Sequence, residues 1–253
     1  MATPPSDPPF TSIRYLPTGE AYDRWAPIYD TDGNFLQALD SLEMQALLPQ
    51  LISSIPSPRP WRIVDLGCGT GRNTSQLLAQ LPDCRVVALD ASQGMLDVAR
   101  ARLACYQDRV SFAQSDLLAP PGTALAADAA LSTLVVEHVP LAAFFAQAAR
   151  AVRLGGALLL TNMHEQMGAI SQAGFVDART GEKIRPRSYA HGAGEVVREA
   201  RRWGFEVLGG GLEERAVEEG MVERLGPRSR KWVGVMCWYG GIFRKVRDGE
   251  VGG

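Results

Sequence analysis

The segment Val64-Asp65-Leu66-Gly67-Cys68-Gly69-Thr70-Gly71 constrains this chain more than any other part of it. It completes a short apolar run, Trp61–Leu66, and opens a stretch with helical spacing, Arg72–Gln80. Glycine tolerates the backbone that a sharp strand-to-helix turn requires, and its missing side chain lets a ligand approach the main chain. A strand that enters a helix through such a loop is the first half of a βαβ unit. The sequence therefore predicts a parallel sheet covered by helices.

The rest of the chain repeats that alternation. Strands are predicted at Arg85–Asp90, Val110–Ala113, Ala127–Val135 and Ala157–Met163, with two late strands around Phe205–Val217 and Lys231–Phe243. Helices are predicted at Ser92–Ala104, Leu141–Val152 and Gly192–Trp203. An earlier helix, Asn34–Ile55, ends at the Ser57-Pro58 and Arg59-Pro60 breakers. Between His164 and Ala190 the pattern breaks down, and Asp177–Gly181 has the composition of a hairpin turn. A length of 253 residues suits one α/β domain, and a 46% hydrophobic content is enough to fill its core.

Two acids give the loop its chemistry. Asp65 stands on the strand just before the first glycine, where a carboxylate repels a pyrophosphate but favours a cationic ligand. Asp90 ends the next predicted strand, where the two oxygens of a carboxylate can accept both hydroxyls of a ribose. S-adenosylmethionine has a sulfonium, an ammonium and a ribose, and no phosphate. Asp65–Gly71 resembles the first motif of the class I S-adenosylmethionine-dependent methyltransferases, and Asp90 resembles their second. Ser115-Asp116-Leu117 is similar to their adenine site, Val135–Pro140 to their fourth-strand exit, and Leu154-Gly155-Gly156 to the turn before their fifth strand.

The resemblance implies a Rossmann-like, seven-stranded, mostly parallel sheet with helices on both faces and an antiparallel last strand. It implies S-adenosyl-L-methionine as cofactor, held by Asp65, Gly67, Cys68, Gly69, Asp90, Ala91, Met95, Asp116, Leu117 and Leu134. Tyr22-Asp23 and Tyr29-Asp30 repeat at a spacing of seven, which places both tyrosines on one helix face. By the same resemblance Tyr22 and Tyr29 close over the cofactor. The expected organisation is a disordered lead over 1–20, a helical lid over 21–60, and a methyltransferase domain over 61–245. A pocket insertion occupies 164–190 and a flexible tail 246–253.

The only histidines, His138, His164 and His191, all fall toward the carboxyl edge of the predicted sheet, where open α/β sheets bind ligands. Each is a candidate general base, His138 first, for removing a proton from an attacking oxygen. Arg185 or Arg187 could hold a substrate carboxylate. The expected reaction is methyl transfer to a small organic acceptor, at oxygen, by in-line displacement. Two other readings remain at this point: the same cofactor fold working without methyl transfer, in a cyclisation, a rearrangement or a regulatory complex, and a nicotinamide-dependent oxidoreductase.

Charge and cysteines bound the setting. A net charge of −2 provides no field for nucleic acid or an acidic membrane surface. The arginine-rich last third carries interleaved glutamates at helical spacing, which reads as a solvated ion-pair face. No stretch is apolar and long enough to span a bilayer. Cys68, Cys84, Cys105 and Cys237 form no CxxC pair and no zinc spacing, so reduced thiols, no metal and a cytoplasmic location are expected. The sequence does not fix an oligomeric state.

Overall fold

The computed structural model describes residues 10–56, 58–120 and 124–249. Its strands are β1 (Ile13–Tyr15), β2 (Trp61–Leu66), β3 (Cys84–Asp90), β4 (Val110–Gln114), β5 (Ala127–Thr133) and β6 (Val152–Met163). They continue with β7 (Phe175–Val176), β8 (Lys183–Arg185), β9 (Phe205–Val207), β10 (Glu213–Ala216) and β11 (Met236–Lys245). The helices are α1 (Thr18–Trp25), α2 (Phe35–Ser54), α3 (Arg72–Gln80), α4 (Gln93–Arg102), α5 (Leu141–Ala151), α6 (Glu165–Ile170), α7 (Ala193–Arg202) and α8 (Val222–Leu225).

The large sheet runs β4-β3-β2-β5-β6-β11, parallel from β4 to β6, with β11 antiparallel to β6. Parallel strands packed on both faces need apolar side chains throughout, and the carboxyl half of β6, Ala157–Met163, is buried at every position. One buried cluster joins α2 and α3 to one face of the sheet, and a second joins α5 and α7 to the other. Strand order reverses beside β2: β3 follows on one side, and β5 pairs on the other. Such a switch point opens a crevice at the carboxyl ends of the strands.

Two elements differ from expectation for identifiable reasons. The stretch Phe205–Val217 forms two strands, because Gly209 and Gly210 take positive φ and break it. β9 and β10 each pair with a different half of β11, so the sheet has eight strand segments where seven were expected. Residues expected as a disordered lead also hold structure: β1 pairs in parallel with β8, and α1 begins at Thr18. Residues 1–9 of that lead and 250–253 of the tail lie outside the described residues.

The expected hairpin is present, with β7 antiparallel to β8 around Asp177–Gly181. β1, β8 and β7 thus form a separate three-stranded sheet. A third apolar cluster, including Ala21, Trp25, Met95, Phe175 and Ile184, fastens this sheet and α1 to α4.

Candidate active site

The glycine loop sits at the switch point. Gly67, Gly69 and Gly71 all have positive φ, between 54° and 77°. A Cβ on Gly67 would lie 2.4 Å from Cγ2 of Val135, so this position has no room for a side chain. A Cβ on Gly69 would meet nothing within 4 Å. Gly69 instead leaves a bare backbone facing a cavity of about 660 Å³. Asp90, at the end of β3, accepts hydrogen bonds from Gly69 N–H (2.8 Å) through Oδ2 and from Ser92 N–H (2.9 Å) through Oδ1. Each oxygen keeps a lone pair for a ligand. Burial raises the Asp90 pKa, against those two backbone bonds.

Of the residues expected from the sequence, Gly67, Cys68, Gly69, Asp90, Ala91, Asp116, Leu117, Leu134, Tyr22, Tyr29 and His138 line this cavity. Four expected site residues lie elsewhere. Met95 is buried in the cluster beneath α1. Asp65 is buried on β2, behind the loop, where Thr74 donates a hydrogen bond to Oδ2. Its Oδ1 has no partner, and burial pushes its pKa up to about 7. His164 is buried at the start of α6, where Gln166 N–H donates to its Nδ1 at 3.1 Å. His191 donates through Nε2 to the Val139 carbonyl at 2.9 Å and stacks on Tyr189. The sequence places these two histidines at the correct edge of the sheet, but their side chains serve packing and capping.

Tyr22 and Tyr29 do not share a helix, because α1 ends at Trp25, two residues before Pro27. The turn that follows still brings the rings together, with centroids 5.8 Å apart. Tyr22 Oη is 2.7 Å from His138 Nε2. His138 Nδ1 is 2.8 Å from the Arg187 carbonyl, which only accepts, so Nδ1 carries a proton. Glu137 Oε1 is 3.3 Å from the same Nε2. A neutral ring would turn a lone pair toward that carboxylate, whereas an imidazolium donates to it. Burial lowers the His138 pKa, but Glu137, the Arg187 carbonyl and Asp90 outweigh it and leave the pKa raised.

Leu134 stands at the exit of β5 with φ 57°, a rare conformation for a side-chain-bearing residue and one common at functional sites. Together with Tyr22, Tyr29 and Gln172 it borders both the large cavity and a second one of about 90 Å³. Glu137, Met163, Met167 and Trp232 line the second cavity. Glu137 is a functional candidate that its sequence context alone does not single out. The available signal was an acid directly before His138 at a strand exit.

Comparison with known proteins bears on this geometry. A methyltransferase-domain family profile matches residues 63–156, from β2 through the turn inside β6. An uncharacterized methyltransferase, AN0656 of Emericella nidulans, is 49% identical over 259 residues, covering 90% of this chain and 91% of that protein. The chain belongs to the S-adenosylmethionine-dependent methyltransferases. A trans-aconitate 2-methyltransferase of Methylobacterium nodulans is 38% identical over 112 residues, 43% of this methyltransferase and 40% of that one. Among solved structures, the [4+2]-cyclase SpnF superposes with a TM-score of 0.61 at 19% identity, covering 93% and 98% of the two chains. At that identity the likeness concerns the fold alone.

The residues present fit S-adenosylmethionine, the cofactor of this methyltransferase. The open Gly69 backbone and the spare lone pairs of Asp90 give the cavity an electron-rich wall that suits a cationic nucleoside, with the buried Asp65 behind the loop. Among the described residues no group of three metal-binding side chains occurs, and no helix is long and apolar enough to cross a membrane.

Proposed function

We propose that this methyltransferase methylates an oxygen of a small organic acceptor in the cytoplasm, without nucleic acid or membrane as partner. The cofactor supplies an activated sulfonium methyl, so the protein has to align the acceptor and remove its proton. Asp65 and the glycine loop hold the methionine moiety, Asp90 the ribose, and Asp116 with Leu117 the adenine. Ala91 packs beside the ribose, and Tyr22 and Tyr29 close the site.

The observation that carries this reading is the Tyr22–His138–Glu137 group. It lies where the cofactor cavity and the smaller cavity share walls. Of the three candidate histidines, His138 is the one that lines the cavity, and the acceptor proton leaves through the group it organises.

The test is incubation with cofactor carrying a carbon-13 methyl group, across a panel of small alcohols, phenols, acids and amines. The NMR shift of the transferred carbon separates O-methyl from N-, S- and C-methyl products. An O-methyl resonance supports the proposal. Label confined to nitrogen, sulfur or carbon counts against it, and product without label indicates the cyclase-like use of the same fold.

A further inference from the structure

Four buried side-chain atoms among the described residues have no hydrogen-bond partner: Asp65 Oδ1, Glu137 Oε2, Glu165 Oε2 and the Arg185 Nε. Only Glu137 belongs to the wall of the second cavity. An unpaired buried carboxylate oxygen is costly, and such atoms persist where a ligand or reaction uses them. Its immediate neighbours are already engaged. His138 uses Nδ1 on the Arg187 carbonyl and Nε2 on Tyr22 and Glu137 Oε1. The Glu137 backbone N–H donates to Asn162 Oδ1 at 3.0 Å, which fixes the residue to β6.

We propose that Glu137, through Oε2, is the group that accepts the acceptor's proton, and that the acceptor is therefore a hydroxy compound and not a free carboxylate. This rests on the oxygen-transfer reading above and names the substrate class for it. The acceptor hydroxyl gives its proton to Glu137 Oε2, and the oxygen lone pair forms the bond to the methyl carbon. The electron pair of the breaking S–C bond returns to sulfur, leaving a neutral thioether. His138 is a positioning residue: its Nε2 holds Oε1, so that Oε2 faces the acceptor alone. An ionised carboxylate acceptor has no proton to give and would be repelled by Glu137.

The cavity volume of about 90 Å³ is close to three water volumes, which suits the reacting end of a ring or short chain. Its wall also carries Lys183, Arg228 and Lys231 beside Asp32, with Arg228 donating to the Asp32 carbonyl.

The experiment uses full-length protein, labelled cofactor, and 4-hydroxybenzoate, catechol, benzoate and trans-aconitate as probes. The expected product is the phenolic methyl ether; 4-hydroxybenzoate separates the two oxygen types within one molecule, because an ester is cleaved by mild alkali and an ether is not. Glu137→Gln should lower turnover of catechol at least about hundredfold. It should leave cofactor affinity and the melting temperature near those of the unmodified protein. Glu137→Asp should recover part of the activity. With 4-nitrophenol, largely ionised in mildly alkaline buffer, the Gln variant should lose far less, because no proton remains to be taken.

Labelled esters without labelled ethers would overturn the role of Glu137 while leaving oxygen transfer intact. An equal loss on catechol and 4-nitrophenol would reduce Glu137 to a structural group. No label on any oxygen, with cofactor still bound by calorimetry, would overturn both readings together.

Discussion

Asp65 shows how one side chain couples fold, cofactor and pH. Its folded-state pKa, raised to about 7 by burial, lies well above the ordinary carboxylate value of 3.8. The folded chain therefore holds a proton that the unfolded chain releases at lower pH. The contribution of this group to stability is greatest in acid and declines as pH rises from about 4 to about 7. On the proposed function, the ammonium of a cofactor held at the loop in front of Asp65 reverses the preference by stabilising the ionised form. Cofactor affinity should then rise with pH up to about 7, with a limiting slope of about tenfold per pH unit below it. Calorimetric titrations across that range check the slope; Asp65→Asn should bind more weakly and show a flatter profile, and an unchanged slope would assign the proton elsewhere. Asp90 allows a simpler measurement. Asp90→Ala removes the acceptor for Gly69 N–H as well as the proposed ribose contacts, so affinity should fall at least about tenfold, at about 1.4 kcal/mol per decade. The place of Asp90 at the cavity was legible in the sequence, because the end of the strand after the glycine loop follows from strand geometry. That Asp65, Met95, His164 and His191 stand off the cavity wall was not legible. Chain position fixes the edge of the sheet a residue reaches, but depth and side-chain direction depend on neighbours distant in sequence.

At the scale of elements, helix α1 is held by one acid. Asp23 Oδ1 accepts hydrogen bonds from Ser92 Oγ at 2.7 Å and from Gly94 N–H at 2.9 Å. Ser92 is the N-cap of α4 and in turn accepts from Met95 N–H at 3.0 Å. The start of α4, whose free N–H groups need acceptors, is thus satisfied in part from α1. Asp23→Ala should cost roughly 1–2 kcal/mol of stability by analogy with lost caps. It should also weaken cofactor binding several-fold, since Tyr22 on the same helix borders the cavity. Thermal unfolding and calorimetry measure the two effects; a stability loss without any change in affinity would detach α1 from cofactor closure. The core alternation was readable because β2, β3, β5 and β6 are apolar runs separated by helical periods. The split of β9 from β10 was missed because the Gly209–Gly211 triplet interrupts a stretch that is otherwise strand-like. Asp40 was equally invisible. It lies inside an apolar helix, fully buried, yet accepts from Arg72, Asn73, Thr161 and Trp238, binding α2 to α3, β6 and β11.

For the whole molecule, the decisive arrangement joins two stretches far apart in sequence. The chain before α1 was expected to be a loose lead and the chain after β6 a pocket insertion; the structure makes them one sheet, with Ile13 opposite Lys183 and Tyr15 opposite Arg185. Leu16 N–H donates to the Arg185 carbonyl at 3.0 Å and extends the pairing toward α1. Pairing between residues some 170 positions apart leaves no local trace, because a three-residue strand has too little periodicity to read. Beneath the small sheet, Trp25 stacks on Phe175 with ring centroids 5.1 Å apart, so helix and hairpin share one apolar contact. Three short strands over a small cluster make a weaker unit than the eight-segment sheet below, and units of lower stability open separately. The small sheet and α1 should therefore exchange amide hydrogens faster than β2, β5 and β6, and as a group: β1, β7 and β8 together with α1. Cofactor should slow all four in parallel, because Tyr22 and Leu16 line the cavity it fills. Removing residues 1–15 deletes β1 and uncovers the edge of β8. Exchange at 175–185 should then approach that of an open loop, cofactor affinity should fall, and the large sheet should retain its protection. Hydrogen exchange by mass spectrometry on the two forms decides the matter: unchanged exchange at 175–185 after truncation would mean that the hairpin stands without the N-terminal strand, and that closure of the site belongs to α1 alone.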